Sequence, residues 1–235
     1  KIRRYMYHQD HNIRFVAANK VLGVNSGYIG WRSAGGKVRT ELMMELLKHK
    51  DPRVRRAMFS AIVKRPDVLT EGVFKLAIQA VKDPEEAWSV KDPSLQVIGH
   101  APADWIVPHV DVLLPYLQHE DWWLQNAALT ALTPVVADER VYRKVLPPVG
   151  ELVRKNQRTA LTQGLMGGMR AKLRAGSAEV QQLAIETLKE SYTGYAGVMT
   201  AVGGQDVSAT HKAHLEFIAA SLADVPGGLD VLYDV

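Results

Sequence analysis

Cysteine is absent from all 235 residues. That excludes disulfides, thiolate nucleophiles and cysteine metal ligands, and it leaves the redox compartment unread. No run approaches the roughly 18 consecutive apolar residues of a membrane-crossing helix. No signal-peptide core follows Lys1, so the expectation is a soluble chain cut from something longer, with its compartment open. No Gly-x-Ser-x-Gly elbow and no Gly-Lys-Ser/Thr phosphate loop occurs. Aromatic residues make up only 7% of a chain that is 47% hydrophobic, a composition suited to helix stacks built on Leu, Ala and Val.

What the chain does have is a recurring helical unit. Glu120 to Leu132 opens with acids and then places Leu124, Ala128, Ala131 and Leu132 at the three-and-four spacing of one helix face. Small residues at Ala127, Ala128 and Ala131 let a neighbouring backbone approach. Just upstream, Val112 to His119 is a second amphipathic segment, and the two together read as helix, turn, helix. The later half of the unit returns at Asp10–Ala17, at Asp51–Met58 and at Glu179–Ala184, with Pro84–Ile98 as a poorer copy. A period of about 35–45 residues of paired helices marks an α-solenoid.

This pattern resembles the HEAT-repeat family, and Asp51-Pro52-Arg53-Val54-Arg55 resembles its bacterial HEAT-like form. The resemblance covers most of residues 10–193. It implies an all-α, α-α superhelical fold: a curved stack of helix pairs that presents surface to partners. It also implies a ladder in which Asp10 with Arg14, and Asp51 with Arg55, tie neighbouring repeats. Gln125 and Gln181 stand where the later copies lack the arginine. The expected organisation is a repeat array over residues 1–193. A Gly-rich linker, a terminal helix and a severed link then occupy 194–235.

Taken in order, Lys1–Arg4 reads as a helix tail and Asp10–Leu22 as a helix closed by Gly23. Gly23–Gly36 is expected to be a long glycine-rich loop in which Tyr28 and Trp31 plug a groove. Lys37–His49 and Pro52–Lys64 form the clearest pair. Asp67 is expected to cap a helix from Val68 to Lys82, and Asp92-Pro93 to interrupt the helix begun at Asp83-Pro84. Prolines 108 and 115 should bend the segment Asp104–His119, and prolines 147 and 148 the basic helix Arg140–Lys155. Helices are also expected at Arg158–Arg174, Ala178–Ser191 and Ser208–Ala223, with Pro226-Gly227-Gly228 ending the last.

Charge is unevenly spread around its net of +4. Residues 1–65 hold 15 Lys/Arg against 4 Asp/Glu, and residues 66–139 hold 3 against 12. Residues 140–175 hold 9 against 1, and 176–235 hold 2 against 8. Mutual attraction of successive faces accounts for this more simply than a nucleic-acid surface, since nucleic-acid signature motifs are missing. Weak nucleic-acid binding is therefore the most expected in that direction, and no membrane binding.

The candidate contact region is aromatic: Trp88, Trp105, Trp122 and Trp123, with Gln125 beside them, fall within a short central span. Tryptophan is enriched at binding hot spots, although each one alone could pack as ordinary core. His211, His214 and Glu216, and His8, Asp10 and His11, are the nearest approaches to metal clusters, and neither supplies a recognisable ligand set. No metal, cofactor or catalytic residue is expected. The reading is a non-catalytic interaction module whose partner is a protein or another domain of its parent chain. The alternative is a second resemblance. Trp88–Asp92 and Trp123–Ala128 are similar to active-site segments of HEAT-like alkyl-purine DNA glycosylases, which implies Asp92 as catalytic acid and Trp88 as a wall of the lesion pocket. Asn126 stands where that family has arginine, and Thr187 near where it has a later tryptophan.

Overall fold

A computed structural model describes residues 2–26, 32–34, 37–155, 168–187, 189, 219–220, 222–223 and 225–233. The fold class is all-α. By its contacts the chain divides into two compact units, Lys1–Ala101 and Pro102–Val235.

The first unit holds helices α1 (Ile2–Met6), α2 (His11–Val21), α3 (Thr40–Leu47), α4 (Pro52–Val63), α5 (Glu71–Lys82) and α6 (Trp88–Ile98). Its helices pack in a regular way. Sequential pairs α1–α2, α3–α4 and α5–α6 touch, α2 packs on α4 and α4 on α6, and α3 meets α5. Met6, Leu22, Met43, Leu46, Met58, Phe59, Ile62, Leu95 and Ile98 are fully buried between them. Burial of each such side chain stabilises by about 1.5–3 kcal/mol relative to exposure.

Several expectations are corrected here. The stretch after Gly23 is not all loop: Val24–Ser26 and Arg32–Ala34 pair as antiparallel strands, β1 and β2, with Asn25 opposite Ser33. Tyr28 and Trp31 lie outside the described residues. Asp67 caps nothing long. Pro66–Val68 is a single 3₁₀ turn in which Asp67 binds Arg65, and Thr70 caps α5 by accepting from the Val73 N–H at 3.3 Å. Pro93 does not interrupt α6, which starts at Trp88 and runs through it. Proline's fixed φ suits a helix, so the loss is one backbone bond, and buried Pro93 is held there by packing.

In the second unit, Pro102–Gln118 is a chain of short turns: α7 (Ala103–Ile106), a 3₁₀ turn at Val107–His109, α8 (Val110–Leu113) and a 3₁₀ turn at Leu114–Gln118. Pro108 and Pro115, expected to bend one helix, each fall in a 3₁₀ turn that divides the segment instead. Helix α9 (Trp122–Leu132) follows, with Leu124, Ala127, Ala128, Ala131 and Leu132 all buried, the face read from the spacing. Helix α10 (Tyr142–Lys155) contains both Pro147 and Pro148. Residues 168–174 and 178–187 are helical, while 156–167, with most of the glycine-rich run, lie outside the described residues, as do residues 208–218 of the helix expected at Ser208–Ala223. The end of the chain differs from expectation. Gly227 takes a φ of +80°, which glycine alone adopts freely, and the chain turns back into a helix at Gly228–Tyr233.

Candidate functional site

The turns that lead into α2, α4 and α9 share one construction. Asp10, Asp51 and Asp121 each cap a helix, their Oδ1 accepting from the N–H two residues on at 2.8, 2.9 and 2.9 Å. Each Asp N–H in turn donates to Nδ1 of a histidine two residues back: His8 at 3.0 Å, His49 at 3.1 Å and His119 at 2.9 Å. The residue four after each Asp then reaches back across the turn. Arg14 Nη1 donates to the His8 and Gln9 carbonyls, both at 2.6 Å. Arg55 Nη1 donates to the His49 and Lys50 carbonyls. Gln125 Nε2 donates to the His119 carbonyl at 2.6 Å. Gln181, in a turn capped by Ser177 and lacking the His-x-Asp pair, donates to the carbonyls of Arg174 and Gly176. Glutamine therefore does the turn-closing work of arginine in the second unit.

The turn role of His8, His49 and His119 is not among the sequence expectations, which place His8 and His11 in a surface cluster short of a metal-ligand set. The signal was present: His-x-Asp with Arg or Gln four residues beyond the Asp occurs at 8–14, 49–55 and 119–125. Among the described residues, no group of three or more His, Cys, Asp or Glu could hold a metal ion.

The two arginines differ in what their outer edges meet. Arg55 Nε and Nη2 donate to the two oxygens of Glu86 at 2.8 and 2.6 Å, a bidentate pair in which the Glu86 side chain is only 6% exposed. This ties the turn before α4 to the turn before α6. Arg14 is 5% exposed, and its Nε is buried with no hydrogen-bond partner. Burial, then the neighbouring Arg53, hold its guanidinium below the ordinary arginine value, with Asp51 pulling the other way. His11 is likewise held low, first by desolvation and then by Arg56 and Arg14. Asp51 is committed elsewhere, to Arg53 Nη2 at 2.8 Å, and this bond holds its carboxyl below the usual range.

The expected aromatic cluster is divided between the units. Trp88 opens α6 in the first and is 56% exposed; Trp105, Trp122 and Trp123 belong to the second. Trp122 and Trp123 stack with ring centroids 3.6 Å apart at the start of α9, and Trp123 remains 51% exposed. Trp105 is half-buried in α7. Asp92, one turn along α6 from Trp88, accepts from Gln96 Nε2 at 2.9 Å within its own helix. His211, His214 and Glu216 lie outside the described residues.

A separate apolar groove of about 500 Å³ opens between α1 and α2, lined by Ile2, Tyr5, Ile13, Val16 and Ala17, with Asn12 and Lys20 completing it. Tyr5 and Val16 are half-exposed there. No described helix is long and apolar enough to cross a membrane. Compared with known proteins, the chain matches no family model and no curated protein.

Proposed function

We propose that the chain is a non-catalytic protein-interaction module, built as a HEAT-like stack of helix pairs. The row of contacts α2–α4–α6, flanked by α3–α5, supports that architecture, as does the recurrence of one turn construction at residues 8–14, 49–55 and 119–125. The observation that carries the function is the Trp122–Trp123 stack. A stacked aromatic pair with one ring half in water is poorly explained by core packing alone, and such rings anchor interfaces.

The partner is a protein or another domain of the parent polypeptide. Its capture by the immobilised chain, with identification by mass spectrometry, should be compared with that by Trp122→Ala and Trp123→Ala variants of matched helical content. A captured partner should bind each variant about thirtyfold more weakly, the loss of a hot-spot side chain. Equal recovery by both variants would remove the aromatic site. Excision of an alkylated base from duplex DNA, abolished by Asp92→Asn, would replace the module reading with the glycosylase one.

A further inference from the structure

We propose that the groove between α1 and α2 is the docking site for one amphipathic helix of a partner protein, apolar along one face and acidic at its edges. The precedent lies in the register of the capped helices. With the capping Asp10 set against Asp51, Ile13, Val16 and Lys20 of α2 stand where Val54, Ala57 and Ala61 stand in α4. Those three α4 residues are buried, as are Leu124, Ala127 and Ala131 at the same places in α9. In α2 the stripe is open: Val16 is 49% exposed, and Ile13 and Lys20 are half-buried. The neighbours explain the difference. Helix α4 packs on α3, on α6 and on the earlier capped helix α2, whereas α2 packs on α1, α3 and α4. Among the described helices, none packs on α2 as α2 packs on α4. Helix pairs at the end of a stack stay soluble by carrying a polar outer face, so an apolar stripe in that position is suited to being covered.

The occupant's chemistry follows from the groove. Ile13, Val16, Ala17 and Lys20 line it at the three-and-four spacing of one helix face, the ridge pattern into which another helix packs. A concave site of this kind fits a helix better than a flat lipid surface. The charge around it selects acid. Helices α1 and α2 contain Arg3, Arg4, Arg14 and Lys20 and no Asp or Glu. Arg3 is paired with Glu45 of α3, while Arg4 is exposed. Ile2 and Lys20 also border an adjoining cavity of about 800 Å³, which adds Lys37 and Arg39 against one acid, Glu41. A second copy of the chain laid face to face would set these cations against each other, which disfavours it. An acid-edged helix meets them with the opposite sign. All of these residues belong to the first unit and the stacked tryptophans to the second, so the two surfaces are separately testable.

The probe is a fluorescein-labelled synthetic helix of about five turns, with leucine and alanine on one face and glutamate at its edges. It is titrated by fluorescence anisotropy against the full chain. Its controls are the same peptide with lysine for glutamate, and the same composition in an order that has no apolar face. The glutamate-edged helix should bind, and each control should bind about tenfold or more weakly. Val16→Glu brings a carboxylate into the groove from an exposed position, so it should weaken binding about tenfold or more and leave the urea midpoint unchanged. Tyr5→Ser, from the half-exposed ring on α1, is the second variant and should act in the same direction. Trp123→Ala should leave binding unchanged. Failure of the glutamate-edged helix to bind, equal binding by either control peptide, equal binding by both groove variants, or a loss confined to Trp123→Ala would overturn the proposal. So would a dimer in sedimentation that Val16→Glu abolishes, which would give the groove to a second copy. Binding to anionic lipid vesicles that is tighter than to the peptide and lost in Val16→Glu would give it to a membrane surface instead.

Discussion

Arg14 and Arg55 share a sequence position and one set of bonds, but substitution should separate them sharply. Replacing Arg55 with Gln leaves the Glu86 carboxylate buried without its bidentate partner. Breaking a buried pair from one side costs about 3–5 kcal/mol. Arg14→Gln removes no such partner and should cost under about 1 kcal/mol. Urea denaturation of the two variants measures this directly, and equal midpoints would mean that the Glu86 pair contributes little. Trp123→Ala belongs with the mild changes. Its ring is half-exposed, so unfolding should shift by no more than about 0.5 kcal/mol. A larger loss would make the Trp122–Trp123 stack structural.

Among the elements, close approach between helices is the sharpest constraint. A Cβ on Gly150 of α10 would lie 1.9 Å from Thr187 Cγ2 and 3.3 Å from Thr187 Cβ. Gly150→Ala should therefore destabilise by about 1–3 kcal/mol. Adding Thr187→Ser, which removes that methyl, should recover most of the loss. Thermal unfolding of the two single variants and the double variant forms a cycle, and simple additivity would exclude the contact. Nothing in the local sequence marks Gly150, because the approach comes from a helix 37 residues away. The buried face of α9 was legible because its period alone sets which side is apolar. The caps at Asp10 and Asp51 were not read, because the resemblance assigned those residues to a ladder between repeats, and the cap expected at Asp67 falls on Thr70. Less legible was the course of α6 through Pro93, where tertiary packing outweighs local propensity. The β1–β2 pair escaped notice because three-residue strands carry no readable alternation. In the candidate site, single tryptophans could be named from the sequence, but their exposure depended on which helix positions faced neighbours.

For the molecule as a whole, far-ultraviolet circular dichroism should be dominated by helix, with at most a minor contribution from the β1–β2 pair. A predominantly β spectrum would contradict the fold. Acid should unfold the chain through carboxylates spread over both units. Asp51, Asp67 and Asp138 are each held below their usual value, first by a hydrogen bond from Arg53, Arg65 and Arg140 respectively. A carboxyl with a depressed native value binds fewer protons folded than unfolded. Its stabilisation is complete above the unfolded value near pH 4 and is lost as pH falls through the lower native one. The urea midpoint should accordingly drop as pH goes from about 5 to 2, and less steeply in an Asp51→Asn, Asp138→Asn double variant. An unchanged slope would mean that these pairs are equally formed in the unfolded chain.

The His-x-Asp turn closes its bonds within seven consecutive residues, from His8 to Arg14 and again from His49 to Arg55. Such a stretch is portable: a tandem gene duplication copies the hinge complete, with its donors and acceptors already matched. The Arg55–Glu86 clasp is different, since its halves are 31 residues apart and must coevolve after copying. Exchanging residues 8–14 and 49–55 between their sites should therefore preserve both hinges, while moving the clasp onto no new partner.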